Sequence, residues 1–204
     1  IDKVAVQAGL ESRYKWEKVN GQGVAEMIAA QKGGLLLSSH VGNWEFASHF
    51  LKDHKGKVSI VLLTAEDERI KAVMENELAP ASFNMIPLSK DMSHVFKMNN
   101  ALLDGHVFCM HGDRNLPGSR VNKAQFLGAE AEFPAGPFAL AAAHKVPVCI
   151  SFVIRTGQMK YSFFATDRIP PGTTRDELFK RFVQEFEAIV KKYPLQWFNY
   201  YDFW

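Results

Sequence analysis

Hydrophobic positions along the chain alternate between short continuous runs and helical stripes. Val24 to Gln31 reads as a short helix that ends near Gly33 and Gly34. The run Leu35-Leu36-Leu37-Ser38-Ser39 predicts a buried strand. Asn43 stands where a helix cap is expected, ahead of a helix from Trp44 to about Asp53 with Phe46 and Phe50 on one face. Val58 to Thr64 predicts a second buried strand. Glu66 to Leu78 follows as a helix whose stripe is Ile70, Val73, Met74 and Leu78. A short strand at Met85 to Leu88, a helix at Met92 to Leu103 stopped by Gly105, and a strand at His106 to His111 come next. Gly112 to Gly118 is rich in turn residues, and Ala124 to Leu127 and Ala131 to Phe133 are short extended segments.

Pro137 to His144 predicts a compact helix with proline in its first turn. Val146 to Ile154 and Met159 to Thr166 are apolar strands about a Thr156-Gly157 turn. The last helix is marked by a Thr174/Glu177 capping box and by a stripe of Leu178, Phe179, Phe182, Val183, Phe186 and Val190. Lys191 and Lys192 suit its C-terminal end. Residues 1–22 carry no clear pattern. Strands alternating with helices from 24 to 154 predict an α/β fold, a mostly parallel central sheet flanked by helices, in one domain spanning 1–204. Ligands in such sheets bind beyond the carboxyl ends of the strands. His40 and the His111 to Arg114 segment both fall just past predicted strands.

Composition narrows the function classes. A net charge of +2 gives no global field for nucleic acid. The two cysteines, Cys109 and Cys149, sit in apolar runs, which argues against a disulfide framework and for a reducing compartment. No run of 18 apolar residues is present, so no segment is read as spanning a bilayer. The chain starts at Ile1 rather than Met, and a membrane anchor upstream of it is expected.

Candidate chemistry begins at Ser39-His40-Val41-Gly42-Asn43-Trp44-Glu45. Inside one helix, His40 and Glu45 would point about 140° apart and could not meet. With His40 in the loop and Glu45 in the first turn, Gly42 permits a backbone that folds the ring onto the carboxylate. A carboxylate so placed fixes the imidazole tautomer and stabilises the imidazolium. The pair could then take a proton from an acceptor hydroxyl during transfer from a thioester. The plainer alternative is that His40 caps the helix and Glu45 is solvated.

His40-Val-Gly-Asn-Trp-Glu45 resembles the HX4E variant of the HX4D/E motif of glycerolipid and lipid A acyltransferases. Several further blocks resemble the lipid A late acyltransferases in the same order. They are Gly33 to Ser39, His111-Gly-Asp-Arg114, Ala124-Gln-Phe-Leu-Gly128, Phe133-Pro-Ala-Gly-Pro137, Ala139 to Ala141, Val146-Pro-Val148 and Pro194-Leu-Gln-Trp197. The resemblance runs from Val24 to Trp204. It implies a glycerolipid acyltransferase-like fold and transfer of a fatty acyl group from acyl-ACP or acyl-CoA to a hydroxyl or amine of a lipid or glycolipid. His40 would be the general base and Glu45 its brace, with no cofactor and no metal. The implied partners are a lipid acceptor, acyl carrier protein or CoA, and a membrane surface. The implied location is the cytoplasmic face of the bacterial inner membrane. Two departures remove cationic groups: the ending lacks His-Arg-Arg, and only Arg69 stands near the second strand. They favour a less anionic glycolipid, an aminolipid or a pigment lipid over lipid A.

Other residues complete the expected site. Backbone N–H groups of Gly42, Asn43 and Trp44 are oxyanion candidates at the helix start. Asn43 and Asp113 are expected to contact substrate, and Asp113 could instead brace His40. Arg114 offers a phosphate contact, Arg120 and Lys123 a phosphopantetheine or carrier-protein contact, and Arg155 reaches the same mouth. For each of these cations a solvated turn is the alternative. Phe133, Phe138, Phe152, Phe163 and Phe164 fit an acyl tunnel or core packing equally well. The aromatics from Trp197 to Trp204 fit a membrane interface or core closure. Rival functions are a thioesterase or lipid hydrolase using the same dyad, a metal-dependent hydrolase drawing on His40, Glu45, His49, His111 and Asp113, and a non-catalytic lipid-binding module.

Overall fold

The computed structural model describes residues 2–7, 9–51, 57–62, 83–88, 93–115, 118–200 and 202–204. Strands β1 (Lys15–Val19), β2 (Gly34–Ser38), β3 (Val58–Leu62), β4 (Asn84–Pro87), β5 (Val107–His111), β8 (Val148–Gly157) and β9 (Lys160–Ala165) form one sheet. Its order is β1-β9-β8-β2-β5-β3-β4. Every neighbouring pair is parallel except β8 and β9, a hairpin that turns at Gln158 and Met159 and not at the expected Thr156 and Gly157, which belong to β8. The α/β expectation therefore holds, with a mostly parallel sheet. A separate antiparallel hairpin joins β6 (Val121–Phe126) to β7 (Ala129–Pro134).

Helices α1 (Asp2–Gln7), α2 (Gln22–Ala29), α3 (Ala47–Leu51), α4 (Ser93–Leu103), α5 (Gly136–His144) and α6 (Arg175–Lys192) accompany the strands. The side-chain alternation of β2 explains why layers form on both faces. Leu35 and Leu37 point into one core with Phe138 of α5 and Phe182 and Phe186 of α6. Leu36 points the other way, against Met27 and Ile28 of α2 and Phe46 and Phe50. Phe182 and Phe186 have no exposed surface, and each burial stabilises the fold by about 1.5–3 kcal/mol. The Thr174/Glu177 capping box starts α6 as the sequence indicates.

Four expectations need revision or fall outside the described residues. Residues 15–19, unread in the sequence, form an edge strand beside β9; its half-exposed Lys-Trp-Glu-Lys-Val pattern gives little apolar signal. The helix expected from Trp44 begins as a 3-10 turn at Trp44–Phe46 before α3, and residues 52–56 lie outside the described residues. Asn43 does not cap it with its side chain, which is drawn to the Tyr161 hydroxyl instead. The helix expected at Glu66 to Leu78, including Arg69, also lies outside the described residues.

Candidate active site

The central strands carry the site by register. Ser38 of β2 lies beside His111 of β5, so the next two residues on each strand are also neighbours. The Gly112 N–H extends the ladder by donating to the Ser38 carbonyl at 2.9 Å. His40 and Asp113 thus emerge side by side at the carboxyl end of the sheet, 73 residues apart in the chain. Gly112 is needed between them, because a Cβ there would stand 2.8 Å from the Phe182 ring packed directly against it.

His40 Nδ1 lies 2.9 Å and 3.1 Å from the two Asp113 carboxylate oxygens. The His40 backbone N–H also donates to Asp113 Oδ2 at 2.9 Å. Asp113 is buried, while the His40 side chain keeps 20% of its surface exposed. Burial alone raises a carboxyl. Here the His40 side-chain bond, the charges of His40 and His111 and the His40 amide outweigh it and hold Asp113 below its ordinary value. An ionised Asp113 makes Nδ1 the protonated nitrogen and leaves Nε2 as a lone-pair base.

Glu45 is the brace expected from the sequence. The carboxylate on His40 Nδ1 belongs to Asp113, not to Glu45. Glu45 sits half-buried on the 3-10 turn and lines the adjacent pocket. The reason is register: β5 delivers Asp113 to the ring from the neighbouring strand, while the turn after Gly42 carries Glu45 onward. Gly42 has φ +70°, and a Cβ there would collide with the Val153 carbonyl.

The oxyanion expectation also changes. The Gly42 N–H donates to the Gln196 carbonyl at 2.7 Å and the Asn43 N–H to the Val153 carbonyl at 2.8 Å. Both amides are committed within the protein, so of the three candidates Trp44 is the one with no such bond to either carbonyl.

His111 stacks on His40, with centroids 4.3 Å apart and planes 25° apart. The Trp44 ring meets His111 edge-on at 4.8 Å. Burial first, and the nearby His40 charge second, push His111 down to about 3, so it is neutral at physiological pH. Its Nδ1 is shielded and has no hydrogen-bond partner among the described residues. In the sequence, His111 stands in a block that carries the resemblance and in the metal alternative, with no catalytic role.

Ligand atoms of His40, His111 and Asp113 lie within 4.8 Å of one another and are the described group that could hold a metal ion. Both Asp113 oxygens already accept from His40, so an ion would have to break that bond. His49 belongs elsewhere: it pairs with Glu11 and stacks on Trp16 at 3.9 Å.

An apolar pocket opens beside the dyad between the sheet and α3. Leu36, Leu51, Ile60, Phe83, Met85 and Glu45 line it, as do Trp44 and His111, the two rings that meet the His40 ring. Phe133, Phe138, Phe152, Phe163 and Phe164 pack in or against the two cores and do not line it. Cys109 does line it, but burial raises its thiol to about 12, which removes it as a nucleophile.

The remaining predicted contacts disperse. Arg114 Nη2 donates to the Phe198 carbonyl at 2.8 Å. Arg155 pairs with Asp2 at 3.8 Å at the mouth end of β8. Lys123 is bound to Glu130 and Glu132 on the exposed hairpin. Arg120 is exposed just before that hairpin. The C-terminal aromatics divide by burial. Phe203 and Trp197 close the core around Phe126 and Phe186, while Phe198 and Tyr200 are exposed; Tyr201 is outside the described residues. Among the described residues, no helix is long and apolar enough to cross a membrane.

The sequence profile of the family described as bacterial lipid A biosynthesis acyltransferase matches residues 5–204. Among curated proteins, the chain is similar to phosphatidylinositol mannoside acyltransferases. One is from Mycobacterium tuberculosis (strain ATCC 25618 / H37Rv), 27% identical over 115 residues, covering 56% of this chain and 36% of that protein. Another, from Mycolicibacterium smegmatis, is 27% identical over 115 residues and is covered over 38% of its length. The match thus spans little more than a third of these relatives.

Proposed function

The chain belongs to the bacterial lipid A biosynthesis acyltransferase family, and from that premise we propose that it transfers a fatty acyl group from a thioester donor to a hydroxyl of a lipid or glycolipid. The observation that carries this reading is the His40–Asp113 pair at the carboxyl end of the sheet, beside an apolar pocket. His40 Nε2 takes the proton as the acceptor oxygen attacks the thioester carbonyl. Asp113 holds the imidazolium that forms, a contribution of about 10²–10⁴ in rate for a well-placed base. The tetrahedral oxyanion rests on the Trp44 amide. Its collapse breaks the C–S bond, and the departing thiolate receives the proton from His40. The acyl chain lies along Leu36, Leu51, Ile60 and Met85. Glu45 lines the pocket and is assigned no proton transfer.

The donor is acyl-ACP or acyl-CoA, and the reaction needs no cofactor or metal ion. The work is done at the cytoplasmic face of the bacterial inner membrane, where the acceptor lipid resides. The relatives' names favour a mannosylated phosphoinositide over lipid A as the acceptor.

The test supplies labelled acyl-CoA or acyl-ACP to the purified protein with mannosylated phosphoinositide, a lipid A precursor, or no acceptor. Label should enter a lipid, thiol release should rise with acceptor, and His40→Ala should abolish both. Free fatty acid as the product, with thiol release indifferent to any acceptor, would identify a hydrolase instead.

A further inference from the structure

We propose that Gln196 to Phe198 form a strap that sets the position of the His40 loop, with Gln196 as a positioning residue. Residues 40–43 run between two walls. On one side, Gly42 bridges Val153 of β8 and the Asn43 N–H donates to the Val153 carbonyl. On the other, Val41 bridges Trp197, the Gly42 N–H donates to the Gln196 carbonyl at 2.7 Å, and the Phe198 N–H donates to the His40 carbonyl at 3.1 Å. The loop that carries the base is thus an extended segment completed by the C-terminus.

Gln196 pins the strap in register. Its Oε1 accepts the Arg155 N–H at 2.9 Å, and its Nε2 donates to the Arg155 carbonyl at 2.8 Å. One side-chain amide replaces the strand neighbour that Arg155 lacks there. The strap also holds the other half of the dyad, since Arg114, next to Asp113, donates to the Phe198 carbonyl. Three segments converge on three residues: the loop after β2, the loop after β5 and the end of β8. Their relative placement sets the 2.9 Å bond between His40 and Asp113. An error of about 1 Å in such a constellation costs on the order of 10²-fold in rate. Leu195 offers an internal control, because its side chain is 95% exposed and makes none of these ties.

The positioning role rests on His40 being the base, so the test has an arm that does not need catalysis. Hydrogen–deuterium exchange is followed at residues 40–43 and at 148–153 in wild type, Gln196→Ala, Gln196→Glu and Leu195→Ser, with kcat, KM and melting temperature measured alongside. In Gln196→Ala, exchange at 40–43 should accelerate at least tenfold while 148–153 is unchanged. Its kcat should fall about 10–100-fold with KM within threefold. Gln196→Glu, which keeps the acceptor and loses the donor, should lie between, and it serves if the alanine variant does not fold. Leu195→Ser should match wild type. Unchanged exchange at 40–43 overturns the strap. Faster exchange with full kcat, or a kcat loss that merely tracks a lower melting temperature, overturns the positioning role. His40→Ala, run in parallel, shows separately whether the base assignment fails.

Discussion

Replacing Asp113 by Asn removes one charge and leaves the shape of the site nearly intact. An imidazolium and a carboxylate with charge centres about 4 Å apart attract by about 4 kcal/mol at an effective dielectric near 20. Asp113 is buried and His40 is only 20% exposed, so solvent screens little of this. At 1.36 kcal/mol per factor of ten, the expected fall in kcat is about 10²–10³-fold. A second effect adds to it. Asp113 accepts from both His40 Nδ1 and the His40 backbone N–H, whereas Asn offers one acceptor and one donor. Either a buried donor is left unmatched, at about 1–3 kcal/mol of stability, or the ring shifts its proton to Nε2 and loses its basic nitrogen. The assay is steady-state thiol release with acceptor lipid, together with thermal melts, for Asp113→Asn and Glu45→Gln. The reasoning requires KM within about threefold and a loss in Glu45→Gln below tenfold. It fails if Asp113→Asn keeps more than a tenth of wild-type kcat, or if Glu45→Gln is impaired as severely.

Other outcomes follow from the same geometry. Gly42→Ala combines φ +70° with a clash on the Val153 carbonyl, so it should lower stability by about 3 kcal/mol or more and abolish acyl transfer, read by chemical denaturation and activity. Folded His111 titrates at about 3, against an ordinary value of 6.5, so the unfolded chain binds the extra proton between those limits and stability falls with pH across that window by up to about 1.4 kcal/mol per unit. Asp113, also held low, loses its contribution as pH falls through its own folded value. His111→Phe should therefore flatten the decline in melting temperature between about pH 6.5 and 4; an unaltered slope would show that His111 is not the source. Ala47→Leu narrows the pocket and should shift the preferred donor toward shorter acyl chains, measured as the ratio of kcat/KM for long and short thioesters.

Much of this site is legible in the sequence, but only where the signal is local. Leu35 to Leu37, bounded by Gly34 and Ser38, announces a buried strand, and His40 lies just beyond its end. The α6 stripe and its capping box are equally readable because both depend on neighbours three or four residues away. The Asp113 brace depends on which strand lies beside β2 and in what register, and that is decided by packing of the whole sheet. Five-residue spacing made Glu45 the nearer candidate, yet the register of Ser38 with His111 brings a residue 73 positions away into contact. Two strands that each end in a histidine-bearing turn, Ser-Ser-His40 and His111-Gly-Asp113, were the signal available. The strap is harder still, since the Gln196 side chain binds backbone groups of Arg155, which any residue carries and which leave no mark in the sequence. Lys15 to Val19 was silent because an edge strand with half-exposed polar positions lacks the apolar run that marks a buried one.

The claim on which everything rests is that Asp113, rather than Glu45, holds the proton on His40 Nδ1 and leaves Nε2 bare. Nitrogen-15 NMR of histidine-labelled protein, assigned by His40→Gln, measures this without any substrate. The expected result is a proton on Nδ1 and a bare Nε2 in the neutral His40 ring, a pattern lost in Asp113→Asn and kept in Glu45→Gln. A neutral ring with its proton on Nε2 in the wild type, or loss of the pattern in Glu45→Gln with retention in Asp113→Asn, would contradict it.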